Sequence, residues 1–367
     1  MNVKRRLLIL CDPMYQTGFQ GFLEAAHEDG ALVYIGDKTI KAGFDCKGIS
    51  FFNRIFKRAA FWMPNPIFVF NLLRGYNILH VHIIGEPTYL SVFIACFLGK
   101  FVGHPVSVTC RTAQNIIPKF PFPFSYFLKF NIKNGVKVFP VSQLSEQYAK
   151  DIYGIEALGI LDNGVPVEFL DEKIDFEEPR SIILFVGSFL ERKGFKDFLQ
   201  LTQIEALTQE YRFVCIGGGI MKNTDFKELG NKYPAVEFIP WVDQKQLISF
   251  YKSASVLVVP SKVTDGKDVG GIKRLFPVPW AEQFCRVIIE AYSLGCQVVA
   301  YDSGAINEVI YDKAYLVPEG DTRTLSDKVA IATKSSVDER QKLKMYASRY
   351  SWKLIYTHFL EKTSHLR

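Results

Sequence analysis

Trp280-Ala-Glu-Gln-Phe-Cys-Arg-Val-Ile-Ile-Glu-Ala-Tyr-Ser-Leu-Gly-Cys-Gln-Val-Val-Ala300 reads as loop, helix, stop and strand. Apolar residues recur at helical spacing from Arg286 to Leu294, and Gly295 just past them is a helix stop. Gln297–Tyr301 is short, apolar and β-branched, as a buried strand is. With the helix beginning near Phe284, the N–H groups of Phe284, Cys285 and Arg286 point out of its start. Aligned peptide dipoles make such a helix end attractive to an anion.

The same alternation continues in both directions. Strand-like runs lie at Arg6–Cys11, Ala31–Ile35, Ile78–Ile84, Val106–Thr109 and Val136–Val141, then at Ile182–Gly187, Arg212–Gly217, Val236–Pro240, Val256–Pro260, Gln297–Tyr301 and Ala314–Val317. Helix-like segments such as Phe195–Thr208, Gln244–Ser253 and Arg286–Leu294 separate them. Alternating β and α units build parallel sheets covered on both faces, an α/β fold. A polar stretch, Asp162–Arg180, with Asn163-Gly164 and seven acidic residues, divides the two series. It predicts an N-terminal domain over 1–165, a C-terminal domain over 166–350, and a closing helix over 351–367 that packs back on the first domain.

A chain of 367 residues suits two cores rather than one, and its 22% charged residues are those of a folded protein. Residues 1–150 carry 17 Lys/Arg against 8 Asp/Glu, whereas the rest carry 27 against 30, so only the first half is basic. A basic half implies an anionic partner. Seven scattered cysteines without a C-x-x-C pair read as buried thiols in a reducing cytoplasm. Leu7–Cys11 is too short for a signal peptide, and the charge-free run Pro87–Gly99 falls short of the ~18 residues a membrane span needs. No G-x-x-x-x-G-K-[ST] is present, which leaves a P-loop kinase without support.

Glu282 precedes the predicted helix and Glu290 lies about two turns inside it. Eight residues at a rise of ~1.5 Å span roughly 12 Å, comparable to the distance from ribose to sugar across a diphosphate. The whole segment resembles the E-x7-E donor motif of retaining GT-B glycosyltransferases of family 4, in the variant W-x-E-Q-F-G-R-V-x-x-E-A. Cys285 stands where that motif has glycine. The resemblance implies two Rossmann-like, doubly wound domains facing across a cleft. It implies a hexosyltransferase that moves a sugar from a nucleotide sugar, such as a UDP- or GDP-sugar, with retention and without a metal. The acceptor it implies is a glycan or a polyprenyl- or lipid-linked molecule, in cell-surface polysaccharide or glycoconjugate biosynthesis. It assigns Glu290 to the nucleotide ribose and Glu282 to the transferred sugar.

Further motifs follow in the family's order. Ile183-Leu-Phe-Val-Gly-Ser-Phe-Leu-Glu-Arg-Lys-Gly194 is similar to the family's strand and loop opening the donor domain, and Lys193 matches the lysine on the donor diphosphate. Ser188 replaces the usual arginine, and Arg192 is the cation expected to compensate. Phe238-Ile-Pro-Trp-Val242 matches the third strand of that domain, which makes Trp241 and Val242 candidates beside the nucleotide base. Ser303-Gly304-Ala305 and Glu308 match the loop after the next strand.

In the first half the resemblance thins. His80-Val-His82 fits a buried strand end better than a metal site. Arg111 stands near the position of the family's cleft histidine and, with Gln114 and Asn115, is a candidate there. Thr17-Gly-Phe-Gln-Gly21 reads as a loop with two glycines, and the resemblance implies a glycine-rich loop here that brings Gly18 beside the donor. Phe51–Phe70 and Pro118–Lys133 mix Phe and Trp with Arg and Lys, as segments lying in a membrane interface do. These features predict a cytoplasmic, peripheral protein on the inner face of the membrane, without nucleic acid as a partner. An epimerase of the same fold would act on the donor without an acceptor, and a non-catalytic binding module would bind nucleotide without turnover.

Overall fold

A computed structural model describes residues 6–12, 15–35, 66–85, 90–110, 124–218, 225–264 and 280–366. The chain divides into two compact units, Met1–Gly164 with Trp352–Arg367, and Val165–Ser351. The first holds β1 (Arg6–Cys11), β2 (Leu32–Ile35), β3 (Ile78–Ile84), β4 (Val106–Cys110) and β5 (Lys137–Pro140) in the order β2-β1-β3-β4-β5, all parallel. The second holds β6 (Ile182–Ser188), β7 (Arg212–Gly218), β8 (Val236–Ile239), β9 (Ala254–Val259), β10 (Gln297–Tyr301) and β11 (Leu316–Val317). Their order is β11-β10-β9-β6-β7-β8, again parallel throughout. Both are doubly wound orders, each reversing once: between β1 and β3, and between β6 and β9. A crevice opens beyond the strand ends at such a reversal.

Most strands are largely apolar because they are buried on both faces; β8, at the sheet edge, is the exception, with Glu237 exposed. Side chains alternate along a strand. Leu8 and Leu10 enter one core, while Leu7, Ile9 and Cys11 enter another. Ile182 and Leu184 likewise separate from Ile183 and Phe185. Parallel sheets need this two-sided cover.

The closing helix, Trp352–Lys362, belongs to the first unit. Trp352, Ile355, Tyr356 and Phe359 share a core with Phe19 and Phe22 of the helix Gln16–Glu28, and the Tyr356 hydroxyl donates to Asp29 Oδ2 at 3.0 Å. Trp352 sits where two glycines leave room. A Cβ on Gly21 or on Gly164 would lie 2.3 Å from its ring.

Two expectations change. Thr17–Gly21, read as a glycine loop, is helical, and Gly21 serves close packing, not mobility. Gly18 therefore sits within a helix of the first unit. Phe195–Thr208 is not one helix: it breaks into Phe195–Gln200, a 3₁₀ turn at Leu201–Gln203, and Glu205–Glu210. Arg111, Gln114, Asn115 and most of Phe51–Phe70 lie outside the described residues. His80 and His82 are buried, one ring nitrogen of each hydrogen-bonded to Ser107 Oγ at 2.8 and 2.7 Å. Burial, with His80 beside it, holds His82 well below the usual histidine range, hence neutral. Among the described residues no helix is long and apolar enough to cross a membrane.

Gly21→Ala is expected to cost about 1–3 kcal/mol of stability by overpacking the Trp352 seat. It would appear as a lower urea midpoint followed by tryptophan fluorescence. An unchanged midpoint would show that the seat has slack.

Candidate functional site

A pocket of about 330 Å³ lies in the second unit, walled by the ends of β6 (Phe185–Ser188) and β9 (Val258, Val259) and by Pro260 and Ser261 beyond it. It therefore sits at the β6/β9 reversal. Glu282, Cys285, Arg286, Glu290, Lys193 and Trp241 also line it. The size falls within the range of small-molecule sites.

The turn after β6 delivers Lys193. Glu191–Lys193 forms a 3₁₀ turn ended by Gly194 at φ +64°, where a Cβ would lie 1.8 Å from the Pro260 carbonyl oxygen. Only glycine permits this approach. The Lys262 N–H donates to the Arg192 carbonyl at 2.9 Å, and Lys262 Nζ pairs with both oxygens of Asp197, whose Oδ2 also accepts from the Tyr301 hydroxyl at 2.8 Å. Held this way, the Lys193 ammonium pairs with the Glu282 carboxylate and lies 4.7 Å from the Trp280 ring centroid.

Glu282 is buried and its backbone is clamped. Its carbonyl accepts from the Ala305 N–H at 2.8 Å, and a Cβ on Gly304 would lie 2.5 Å from the same oxygen. The loop Ser303–Ala305 thus positions the glutamate by contact with its main chain. Glu308 sits in the short helix Ile306–Val309, and its N–H donates to the Ala305 carbonyl at 3.1 Å.

The helix starts at Arg286, two residues later than near Phe284. Its N-cap is Cys285, at φ 57°, the one non-glycine residue with positive φ among those described. The left-handed region costs an L-residue roughly 1–2 kcal/mol. The Cys285 side chain makes no capping hydrogen bond, so it gives the first-turn N–H groups no partner. Its buried thiol is pushed well above the ordinary range, first by desolvation and then by Glu282, and is therefore protonated. Because Glu282 lies in irregular chain, the helical-rise estimate of the Glu282–Glu290 separation does not hold for its first part.

Glu290, half-buried on the helix Arg286–Ser293, receives the Tyr251 hydroxyl at 3.4 Å. Burial raises its carboxyl above the usual range, against the opposing pull of Arg286 and that hydroxyl. Tyr251 is fully buried on the helix Gln244–Ser253. In sequence it reads only as part of an apolar face, so its part in the site carried no signal. Leu247 and Ser261, which also line the pocket, carried none either.

Other expected residues lie elsewhere. Phe284 is in the core, its ring 5.7 Å from that of Tyr350. Val242 packs against the same core, while Trp241 stays 59% exposed at the pocket. The Arg192 guanidinium lies 4.8 Å from the Trp280 ring centroid and is not among the lining residues, whereas Ser188 is. Thr264 and Trp280 form an antiparallel bridge through two hydrogen bonds of 2.9 and 2.8 Å. Among the described residues no group of three or more His, Cys, Asp or Glu side chains is placed to hold a metal ion.

A family model, glycosyl transferases group 1, matches residues 166–350, half of the chain. The chain belongs to the glycosyl transferases group 1 family. It is 25% identical over 225 residues to the phosphatidyl-myo-inositol mannosyltransferase of Mycobacterium leprae, a match covering 59% of this chain and 55% of that protein. The chain therefore spans about half the length of that curated relative. A glycosyltransferase from Rickettsia africae superposes with a TM-score of 0.73 at 16% identity, over 99% of each chain. HepE from Anabaena, solved in complex with UDP, gives 0.67 at 16%, over 98% of this chain and 100% of that one. At such identities these structures show the fold, which is GT-B.

Variants at Cys285 and Glu290 are informative. Cys285→Gly is expected to unfold at a denaturant midpoint equal to or above that of the wild type, and Cys285→Val about 2 kcal/mol below it. The reverse order would mean that the left-handed backbone is not kept in solution. For Glu290 the raised folded pKa fixes the sign of the second test. The folded chain holds this proton more tightly than the unfolded one, so the contribution is full below the unfolded pKa and lost as pH rises through the folded value. Glu290→Gln, which keeps a neutral side chain at every pH, should therefore raise the melting temperature at neutral pH. The gain should vanish on acidification below pH ~4.5. A gain that persists there would assign it to packing instead.

Proposed function

We propose that this protein transfers a sugar from a nucleotide-sugar donor to a glycan or lipid-linked acceptor. The observation that carries the proposal is the meeting of Lys193, Glu282, Arg286 and Glu290 in one pocket at the sheet reversal. A nucleoside diphosphate is the ligand whose chemistry fits it. The Lys193 ammonium and the start of the helix Arg286–Ser293 take the diphosphate, the group on which negative charge grows as the sugar departs. Glu290 accepts the ribose hydroxyls and Glu282 the hydroxyls of the transferred sugar. Trp241, exposed at the rim, offers a ring to the base.

The donor is a UDP- or GDP-sugar and the transfer a hexosyl transfer with retained anomeric configuration; these finer assignments rest on the resemblance of Trp280–Ala291. HepE was solved with UDP, and the mycobacterial relative is named for mannosyl transfer and phosphatidyl-myo-inositol. Those names favour UDP as the first donor to try and a lipid-linked acceptor beside a glycan one. We place the reaction in cell-surface polysaccharide or glycoconjugate synthesis in the cytoplasm, without a metal.

A melting-temperature screen against UDP, GDP and their sugars should give an upward shift with one nucleotide, since a ligand that binds only the folded state stabilises it. With that donor, Glu282→Gln and Glu290→Ala should each lower transfer at least about 100-fold, with unchanged far-ultraviolet circular dichroism. Lys193→Ala should lose both the shift and the turnover. Wild-type rates from both glutamate variants would sink the assignment. A shift without turnover on any acceptor would favour a binding module, and donor conversion without acceptor would favour an epimerase.

A further inference from the structure

Three helices of the first unit, Pro66–Gly75, Leu90–Phe101 and Phe124–Lys133, carry no acidic residue. The middle helix shows what is unusual. Val92, Ala95, Cys96 and Gly99 turn inward, and a Cβ on Gly99 would lie 2.8 Å from Val106. Its opposite stripe belongs in water by helical periodicity, yet it reads Phe93, Phe97, Phe101 at i, i+4 and i+8. These rings stack at 6.3 and 6.1 Å, with Phe97 43% and Phe101 69% exposed.

The neighbours extend the stripe instead of covering it. Phe101 meets Phe70 at 6.4 Å, and Phe97 meets Phe130 at 6.2 Å. Phe130 in turn meets Tyr126, which is 50% exposed, at 5.8 Å. Arg74, over the Phe70 ring at 5.5 Å, stands with Lys100, Lys129 and Lys133 on the same three helices. An exposed aromatic band on cationic helices without a single carboxylate is complementary to a surface that is apolar within and anionic outside.

We infer that this face docks on an anionic lipid bilayer, with the Phe97–Phe101 stripe at the acyl boundary and the lysines on the headgroups. Aromatic rings are favoured at that depth, and each lysine near an anionic leaflet strengthens binding. The inference uses only the first unit and stands whether or not the sugar-transfer reading does.

The test is co-sedimentation of the full chain with vesicles of phosphatidylcholine, alone or with about a third phosphatidylglycerol. Binding is expected on the anionic vesicles, weakened in 0.5 M salt. Lys100→Ser/Lys129→Ser/Lys133→Ser should lower that binding roughly five-fold per lysine removed. Phe97→Ser/Phe101→Ser should lower it about ten-fold or more at low and high salt alike. All five substituted sites are exposed or partly so, and an unchanged melting temperature would show that each variant is folded. Absence of wild-type binding to anionic vesicles overturns the inference. So does equal binding of wild type and both variants. A wild-type dimer that the phenylalanine variant makes monomeric, with no vesicle binding by either, would assign the face to a second copy of the chain.

Discussion

The pocket depends on a place where two stretches of backbone touch with no side chain between them. Gly194, left-handed after the turn that follows β6, faces the Pro260 carbonyl at the end of β9. Sheet order alone would put a crevice there, since β6 and β9 are adjacent strands whose connections leave in opposite directions. The glycine contact decides what the crevice holds. It presses the loop against the strand end, and the main-chain bond from Lys262 to Arg192 fixes its far side. Lys193, between the two restraints, has its backbone fixed, and its ammonium lies on Glu282 beside the Trp280 ring. Gly304 plays the same part across the pocket by giving Glu282 no room to shift.

The two glutamates are compensated in opposite ways. Glu282 is nearly removed from water, and a carboxylate so placed needs a counter-charge or gives up its charge. Lys193 supplies it. Glu290 has a weaker partner, a tyrosine hydroxyl at 3.4 Å, and its carboxyl is raised by burial. On the proposed reading, a diphosphate would take the ammonium and leave the Glu282 carboxylate to sugar hydroxyls, and ribose hydroxyls would add hydrogen bonds to Glu290.

What was legible in the sequence follows from this physics. Strands such as Arg6–Cys11 and Ile78–Ile84 were readable because two-sided burial demands unbroken apolar runs, and that pattern is local. Glu282, Lys193 and Glu290 were readable because their spacing belongs to a motif. The start of the helix Arg286–Ser293 was not, since an apolar Phe284 looks the same whether it opens a helix or fills a core. Cys285 was visible as a substitution for glycine, but only a backbone angle shows what the glycine was for. Thr17–Gly21 misled because glycine serves both loops and close packing, and the partner that decides, Trp352, is more than 300 residues away. Arg192 and Lys193 are neighbours in sequence, and only the turn between Leu190 and Gly194 tells which of them lines the pocket.

Departures from local preference cluster where a ligand would repay them. Within the second unit, the left-handed cysteine, the ion pair beneath a quarter-exposed lysine and the raised Glu290 carboxyl all border one cavity. The β-strands around them are packed and apolar over most of their length, β6 losing cover only from Val186 to Ser188 at the pocket. Strain of this kind persists only where the surroundings over-determine it, and a rigid sheet with glycine-mediated contacts does that. In the first unit the departure is of another sort. Among its described residues no non-glycine residue has a positive φ, but a helix shows phenylalanine where periodicity calls for charge. Strain inside a pocket suits a small ligand held by a few atoms, whereas an unstrained apolar face suits a broad partner met at a surface. The two units thus depart from local preference in different ways, one in backbone and charge around a cavity, the other in the side chains of an exposed face.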